Sequence, residues 1–258
     1  MLMERASFIG AIGAVLMLMS AIKMGGGNLA GFIDIAAGII IGGGMTFSTL
    51  ICFPLEEVLK IPRLLKIVFF TSRKSATDLV EMIVSLAESA RREGVLSLEK
   101  RMESIRDPFL AAGIRMVTDG MTPDAVEAVL RLQMDAVAAR HHIGRGVLAA
   151  MGRTSPVFGL VATLMGLVLM LSHMDPETIG ERMSVALVGT FYGVVTANLF
   201  FLPFADKLSY FNGKELERME IAVIGVLGIQ SGENPRIIRM KLSMFLPPDE
   251  VTVEEEGR

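Results

Sequence analysis

The chain has 258 residues, of which 52% are apolar and a further 26 are Gly, and its formal net charge is −3. A disordered chain is poor in apolar residues, so this composition excludes disorder for most of the length. The single Cys52 excludes a disulfide scaffold, and three His beside one Cys exclude a Cys/His structural zinc site. We expect no metal centre, and the charge gives no support for nucleic-acid binding.

Four stretches of the chain contain no charged residue and predict membrane-spanning helices. They cover residues 6–22, 35–55, 154–174 and 183–205. As helices the last three reach about 31–34 Å, enough to cross a hydrocarbon layer of about 30 Å, whereas the first is marginal at about 25 Å. The alternative is four buried helices of a soluble protein. We interpret the first stretch as a retained span because no cleavage site of small residues precedes the next helix.

The distribution of Lys and Arg predicts the orientation of these spans. Of the 25 Lys and Arg, 15 lie in residues 56–153, 7 lie after residue 205, and one is Arg5. The two short connections, near Lys23 and Arg182, carry one each. Because cytoplasmic loops are rich in Lys and Arg, we expect both termini and the long loop in the cytoplasm.

The cytoplasmic parts are predicted to be helical. A helix over residues 77–90 has one apolar face and ends before Gly94. A second helix begins at Thr122, with Pro123 at its first position, and runs toward Pro156 with an interruption near residues 144–146. The tail is amphipathic, turns at residues 232–235, and has an acidic end predicted to be disordered. The predicted fold is thus an all-α integral membrane protein in four segments: spans 1 and 2 (6–55), a helical loop (56–153), spans 3 and 4 (154–205) and a helical tail (206–258).

No phosphate-binding loop, nucleophile elbow or zinc-protease motif occurs, so we expect no enzyme and no cofactor. The polar residues of the spans carry the functional signal, because such groups are costly in a bilayer. Asp34 lies at the outer start of the second span, either as a hydrated interfacial residue or as a carboxylate that serves ion entry or packing. Thr163, Thr190 and Tyr192 either bond to their own helices or line a polar path. The spans have no central acid, so a partner must supply one if ions are conducted.

Six strings of the sequence stand out together: GFID at 31–34, ARREGVLSLE at 90–99, MGRTSPVFGLVATLMGLVLMLS at 151–172, VALVGTFYGVVTAN at 185–198, FLPFADKLS at 201–209 and GIQSGENPR at 228–236. In this order and spacing they resemble the MotA/PomA family of flagellar stator A subunits, with the PomA-like branch nearer. Their order and spacing together are specific, and the resemblance covers roughly residues 6–246.

The resemblance implies a motor of the bacterial inner membrane. Five A subunits would surround two single-span B subunits, each with an ion-binding Asp and a peptidoglycan-binding domain. Flow of H⁺ or Na⁺ would turn the A ring, which would push the rotor protein FliG. The alternatives are an ion-driven motor subunit of the ExbB/TolQ type in another envelope complex, and a helical membrane scaffold without an ion path.

The resemblance also implies residue roles. Arg91 and Glu99, with Arg92 beside them, would contact the rotor. Pro156 and Pro203 would flank the channel as hinges, although Pro156 alone could simply start a helix. This chain departs from PomA-branch relatives by placing Lys100 and Met102 where they carry acids, with Glu103 one turn on. It also has Gly189 before Thr190, where sodium-type relatives have two Thr, so we favour H⁺ slightly over Na⁺.

Overall fold

The computed structural model describes residues 2–3, 5–71, 75–172 and 179–247. Regular structure in these residues is helical, apart from one antiparallel pairing of β1 (Leu2–Met3) with β2 (Phe70–Thr71), in which Leu2 lies opposite Thr71. The all-α prediction is therefore confirmed. The helices are α1 Arg5–Met24, α2 Ile35–Cys52, α3 Leu55–Val58, α4 Ile61–Phe69, α5 Ala76–Glu93, α6 Pro108–Thr118, α7 Pro123–Ser172, α8 Ile179–Thr196, α9 Leu202–Gln230 and α10 Pro235–Ser243; 3₁₀ segments cover Leu29–Phe32 and Val95–Ser104, and a π segment covers Ala197–Phe201.

In the part of the chain that the structure describes, four helical stretches are long and apolar enough to cross a membrane: Ala6–Met24, Leu29–Cys52, and parts of Pro123–Ser172 and Arg182–Gln230. Each overlaps one of the predicted charge-free runs, so four candidate spans are confirmed. The second helix ends at Cys52, before the predicted end at Leu55, and the predicted end of the third run lies outside the described residues. Many large apolar side chains of these stretches are exposed in the single chain, including Ile9, Phe47, Leu160 and Val168. Such faces are stable only against lipid or another subunit.

The chain forms two compact units, Met1–Ser72 with His141–Tyr210, and Arg73–Arg140 with Phe211–Arg258. The first unit holds the apolar stretches of the four spans. A small buried cluster of Met45, Val147 and Met151 joins α2 to α7 within it. Phe8 of α1 packs its ring on Phe69 of α4, with centroids 4.9 Å apart.

The second unit has a larger apolar core, built from α5, α6, α10 and parts of α7 and α9. All five residues of α5 that were predicted to face inward are buried, namely Leu79, Val80, Ile83, Val84 and Ala87. Arg218, largely buried, donates to the Asp107 carboxylate at 2.9 Å and to the Ser75 carbonyl at 3.0 Å. This arginine ties α9 to the residues that cap the N-termini of α5 and α6.

Two expectations about α7 are wrong. The helix is not interrupted at residues 144–146 and does not start at Pro156, but runs unbroken from Pro123 to Ser172. The glycines there serve packing: a Cβ on Gly144 would lie 3.1 Å from the Leu64 side chain, and one on Gly146 would lie 3.4 Å from Phe53. Pro156 is tolerated inside the helix, where its ring removes one backbone N–H donor.

The predicted turn in the tail is confirmed, because α9 ends at Gln230, Gly232 has φ +69°, and α10 starts at Pro235. The predicted disordered acidic end lies outside the described residues, as does the connection at 173–178.

Candidate functional site

Helices α7 and α8 meet through small residues, which allows their backbones to touch. A Cβ on Gly159 would lie 2.9 Å from the Gly189 carbonyl oxygen, and a Cβ on Gly193 would lie 2.7 Å from the Ser155 carbonyl oxygen. The fully buried Ser155 hydroxyl donates to the Gly193 carbonyl at 3.1 Å. Close contact of this kind is how helices associate in lipid, where no hydrophobic force acts between them.

The same helix contact holds two of the predicted ion-path residues together. The hydroxyl oxygens of Thr163 and Thr190 are 2.5 Å apart, and Thr163 is 8% exposed. Thr163 also lies 2.8 Å from the Ala186 carbonyl and 3.1 Å from the Gly159 carbonyl. A hydroxyl has one proton, so Thr163 gives its proton to a carbonyl and accepts the proton of Thr190. The Thr190 oxygen therefore keeps both lone pairs, and it can serve as an acceptor for a cation or water.

Tyr192 and Asp34, the other two predicted ion-path residues, form a separate contact. The Tyr192 hydroxyl donates to the Phe32 carbonyl and accepts the backbone N–H of Asp34 at 3.1 Å. The Asp34 carboxylate caps α2 by accepting from the N–H groups of Ala36 and Ala37, at 2.9 and 3.3 Å. Both residues thus fix the start of α2 against α8, and the hydroxyls of Tyr192 and the threonines do not form one continuous path.

The predicted hinge Pro203 follows directly on an irregular part of the fourth span. Ala197–Phe201 forms a π segment, in which the N–H of Leu202 bonds to the Ala197 carbonyl. The Asn198 side chain donates to the Val194 carbonyl at 2.9 Å, at the point where the regular α-helical hydrogen bonding gives way to the π segment. Pro203 has no N–H, which leaves the carbonyl four residues earlier without its helical donor. π segments and prolines are the usual causes of helix bending.

The predicted rotor-contact residues lie around the end of α5. Gly94 ends the helix with φ +82° and ψ 161°, a conformation open only to Gly. Arg91, Arg92 and Glu99 are all exposed. Arg92 reaches Glu88 at 3.7 Å, but both side chains are largely exposed, so the pair contributes little stability. The structure brings these charges to one stretch of surface, and their role in rotor contact stays a prediction.

Sequence reasoning missed the residue that holds this stretch in place. The Arg101 guanidinium donates to the Ser85 carbonyl at 3.1 Å, to the Ser89 hydroxyl at 2.6 Å and to the Ser85 hydroxyl at 3.0 Å. These bonds clamp the 3₁₀ segment onto α5, and the buried Leu98 anchors the same segment in the core. Ser85 and Ser89 lie one helical turn apart on α5, but no local sequence signal pairs them with Arg101, which follows the helix by several residues.

Comparison with known proteins gives the family. Residues 101–221 match the family described as MotA/TolQ/ExbB proton channel family. A motility protein A of Borreliella burgdorferi is 36% identical over 250 residues, 95% of this chain and 95% of that protein. The chain belongs to the motility protein A family. The chemotaxis protein PomA of Vibrio alginolyticus is 37% identical over 245 residues, and the match covers 95% of this chain and 96% of PomA.

A solved structure of the flagellar MotAB stator complex from Bacillus subtilis contains a chain with the same fold. Its TM-score is 0.90 at 31% identity, and the match covers 96% of this chain and 98% of that one. The predicted MotA/PomA resemblance and the flagellar stator function are therefore confirmed, in preference to the ExbB/TolQ alternative. With four apolar helices and this family, the chain is an inner-membrane protein.

The two positions expected to depart from the PomA-branch pattern, Lys100 and Met102, differ in their surroundings. Lys100 and the nearby Glu103 are exposed on the 3₁₀ segment, whereas Met102 is partly buried and packs on the core of the second unit. Their effect on the proposed rotor contact stays a prediction.

Proposed function

We propose that this chain, with a single-span B subunit, forms a channel that couples H⁺ flow to rotation of the flagellar rotor. The observation that carries the proposal is the partly buried Thr163–Thr190 pair, a side-chain hydroxyl contact between spans that pack closely through small residues. The charge-free runs of the third and fourth spans contain no Asp or Glu, so the ion-binding carboxylate comes from the B subunit. The solved Bacillus subtilis relative is a MotAB complex, and the likeness to its chain supports a MotB-type partner here.

The transported ion is H⁺, with Na⁺ as the second candidate. Both lone pairs of the Thr190 oxygen are available, which suits a hydrated proton or a hard cation. A sodium site needs several oxygen ligands, and Gly189 contributes no hydroxyl beside Thr190. No resident cofactor takes part in this proposal.

The subunit assembles as five copies around two B subunits, which a peptidoglycan-binding domain of B anchors to the cell wall. The exposed apolar residues of α7 support further protein or lipid contacts, since Leu160, Leu164, Val168 and Leu171 recur at intervals of three or four residues and share one face. The excess of Lys and Arg in the long loop and the tail supports cytoplasmic termini.

Torque reaches the rotor protein FliG through Arg91, Arg92 and Glu99. Exposed charges suit this work because they steer partners together and release quickly without high affinity. Pro156 and Pro203 are the hinges of the moving spans. The π segment before Pro203 supports this role, because it weakens the helix at that point.

The test is a strain without this gene and without any second stator set. Flagella are counted, swimming is recorded, and the gene is restored across a sodium series at fixed pH. Flagellated, paralysed cells that regain swimming at every sodium concentration support a proton-driven stator. Restored speed that rises with sodium would assign Na⁺ instead. Cells that swim normally without the gene would contradict the proposed function.

A further inference from the structure

Helix α4 follows the second span closely and has two different faces. Ile61, Leu64 and Val68 lie on the inner face at intervals of three and four residues. Val68 is fully buried, Ile61 packs on the Met45–Val147–Met151 cluster, and Leu64 packs on Gly144. This face holds α4 firmly against the spans of the first unit.

The outer face of α4 combines cationic and apolar side chains. Arg63 and Lys66 are exposed, Ile67 beside them is 39% exposed, and Leu59, two residues before the start of α4, is 69% exposed. Among the described residues, neither Arg63 nor Lys66 has an ion-pair partner, whereas Lys60 is bound to Glu57 at 2.5 Å. We call the four residues Leu59, Arg63, Lys66 and Ile67 the basic face.

The contacts of α4 place the basic face at the end of a membrane span. The Ser7 hydroxyl donates to the Val68 carbonyl at 3.3 Å, and the Phe8 ring packs on Phe69. Ser7 and Phe8 lie in the first turn of a span that begins at Ala6. The C-terminal half of α4 therefore lies level with the boundary of the hydrocarbon layer, where headgroups are found.

We propose that the basic face binds the anionic phospholipid headgroups of the cytoplasmic leaflet. Arg63 and Lys66 bind lipid phosphates, while Leu59 and Ile67 enter the boundary of the acyl chains. Helices with such a mixed face lie in the membrane interface, and the negative surface of the cytoplasmic leaflet attracts basic residues there. The side of the membrane follows from the proposed topology, but lipid binding does not require ion conduction.

A second copy of the chain fits this face less well. Of its two cations, Lys66 is of a type depleted from protein–protein interfaces, although Arg is enriched there, and both cations would need acidic partners on the facing surface. The leaflet supplies anionic groups continuously around the spans. The chain between the second span and α4 also has exposed apolar residues that require lipid or another apolar cover, Ile51 at the end of the span and Leu55 just after it.

The first test measures lipid affinity directly. The full chain is purified with its B subunit in neutral detergent and titrated with phosphatidylglycerol, and bound lipid is counted by native mass spectrometry. Because each basic residue near such a surface changes affinity about fivefold, Arg63→Gln with Lys66→Gln should weaken binding about 30-fold. The matched control, Arg106→Gln with Arg236→Gln, removes the same charge from exposed positions of the second unit. Unchanged binding in the first variant, or an equal loss in the control, would overturn the proposal.

A second measurement keeps the proposal testable if the double variant does not fold. The chain contains no Trp, so Ile67→Trp introduces a fluorescent reporter. Its fluorescence is obtained by subtracting that of the unsubstituted complex from that of the variant complex. Reconstituted with brominated lipids, this reporter should be quenched more by phosphatidylglycerol than by phosphatidylcholine. The exposed Leu96→Trp in the second unit should show no quenching. Equal quenching by both lipids would show apolar burial without headgroup recognition, and no quenching would place Ile67 outside the membrane; either result refutes the proposal.

Discussion

At the scale of single residues, hydroxyl geometry separates the four predicted ion-path residues into two pairs. Thr163 and Thr190 bond to each other across α7 and α8, whereas Tyr192 and Asp34 organise the start of α2. The sequence predicted that polar residues of the spans matter, but it could not predict these pairs. Thr190 and Tyr192 are two residues apart and so face different sides of one helix, while their partners lie far away in the chain.

Thr190→Val removes the oxygen that keeps both lone pairs free. Val has nearly the same shape, so the helix contact should survive while the polar acceptor is lost. We expect ion flux and torque to fall at least severalfold, with Thr190→Ser retaining most of both. Tethered-cell rotation and ion uptake into vesicles of the purified complex measure the two quantities. Full torque in the Val variant would favour a scaffold without an ion path.

At the scale of helices, the sequence predicted where helices occur and which side of each is apolar, but it did not predict that α7 runs without a break. The apolar face of α5, the turn at Gly94 and the start of α7 at Pro123 all follow from local patterns. The predicted break near residues 144–146 was wrong because Gly lowers helix propensity locally, whereas contact with Leu64 and Phe53 favours Gly at those positions. Such contacts join residues about eighty or more positions apart, and a local pattern does not contain them.

The contact between α7 and α8 should be sensitive to a single methyl group. In Gly193→Ala the new Cβ would lie 2.7 Å from the Ser155 carbonyl oxygen, a backbone atom that cannot turn aside. Overpacking of this kind costs about 1–3 kcal/mol. We expect a lower unfolding temperature of the purified complex. Gly42→Ala is the matched control, since no atom lies within 4 Å of its Cβ, and an equal loss there would contradict the close-contact explanation.

The 3₁₀ segment should loosen when Arg101 is removed. Arg101→Ala deletes three hydrogen bonds to Ser85 and Ser89, and each bond to a charged group contributes about 1.5–3 kcal/mol. Hydrogen exchange of residues 95–104 should become at least tenfold faster, while exchange in α6 changes little. Lys100→Ala, at an exposed neighbouring position, should leave the exchange unchanged. Unaltered exchange in the Arg101 variant would show that Leu98 alone holds the segment.

At the scale of the whole molecule, composition was enough to predict the class of protein. Four charge-free runs, with Lys and Arg concentrated outside them, indicate four spans and a large helical remainder. The division into two units was not visible, because α7 and α9 each contribute residues to both units without a break. The Arg101 clamp and the basic face of α4 depend on which side of an element turns outward, which only packing decides.

The proposed rotor contact allows two properties of the whole molecule to be tested separately: assembly of the complex and rotation of the motor. Arg91 is exposed at the end of α5 and takes no part in the core of the second unit, so Arg91→Glu should leave the purified complex intact. Reversing its charge should nevertheless reduce swimming speed severalfold, because a charge that attracts its partner group on the rotor in the proposed contact then repels it. Size-exclusion chromatography of the complex and swimming of the complemented strain are measured together, with exposed Arg106→Glu as the control. Loss of the complex in the Arg91 variant would make the residue structural, and a matching loss of speed in the control would indicate a general effect of charge rather than a defined contact.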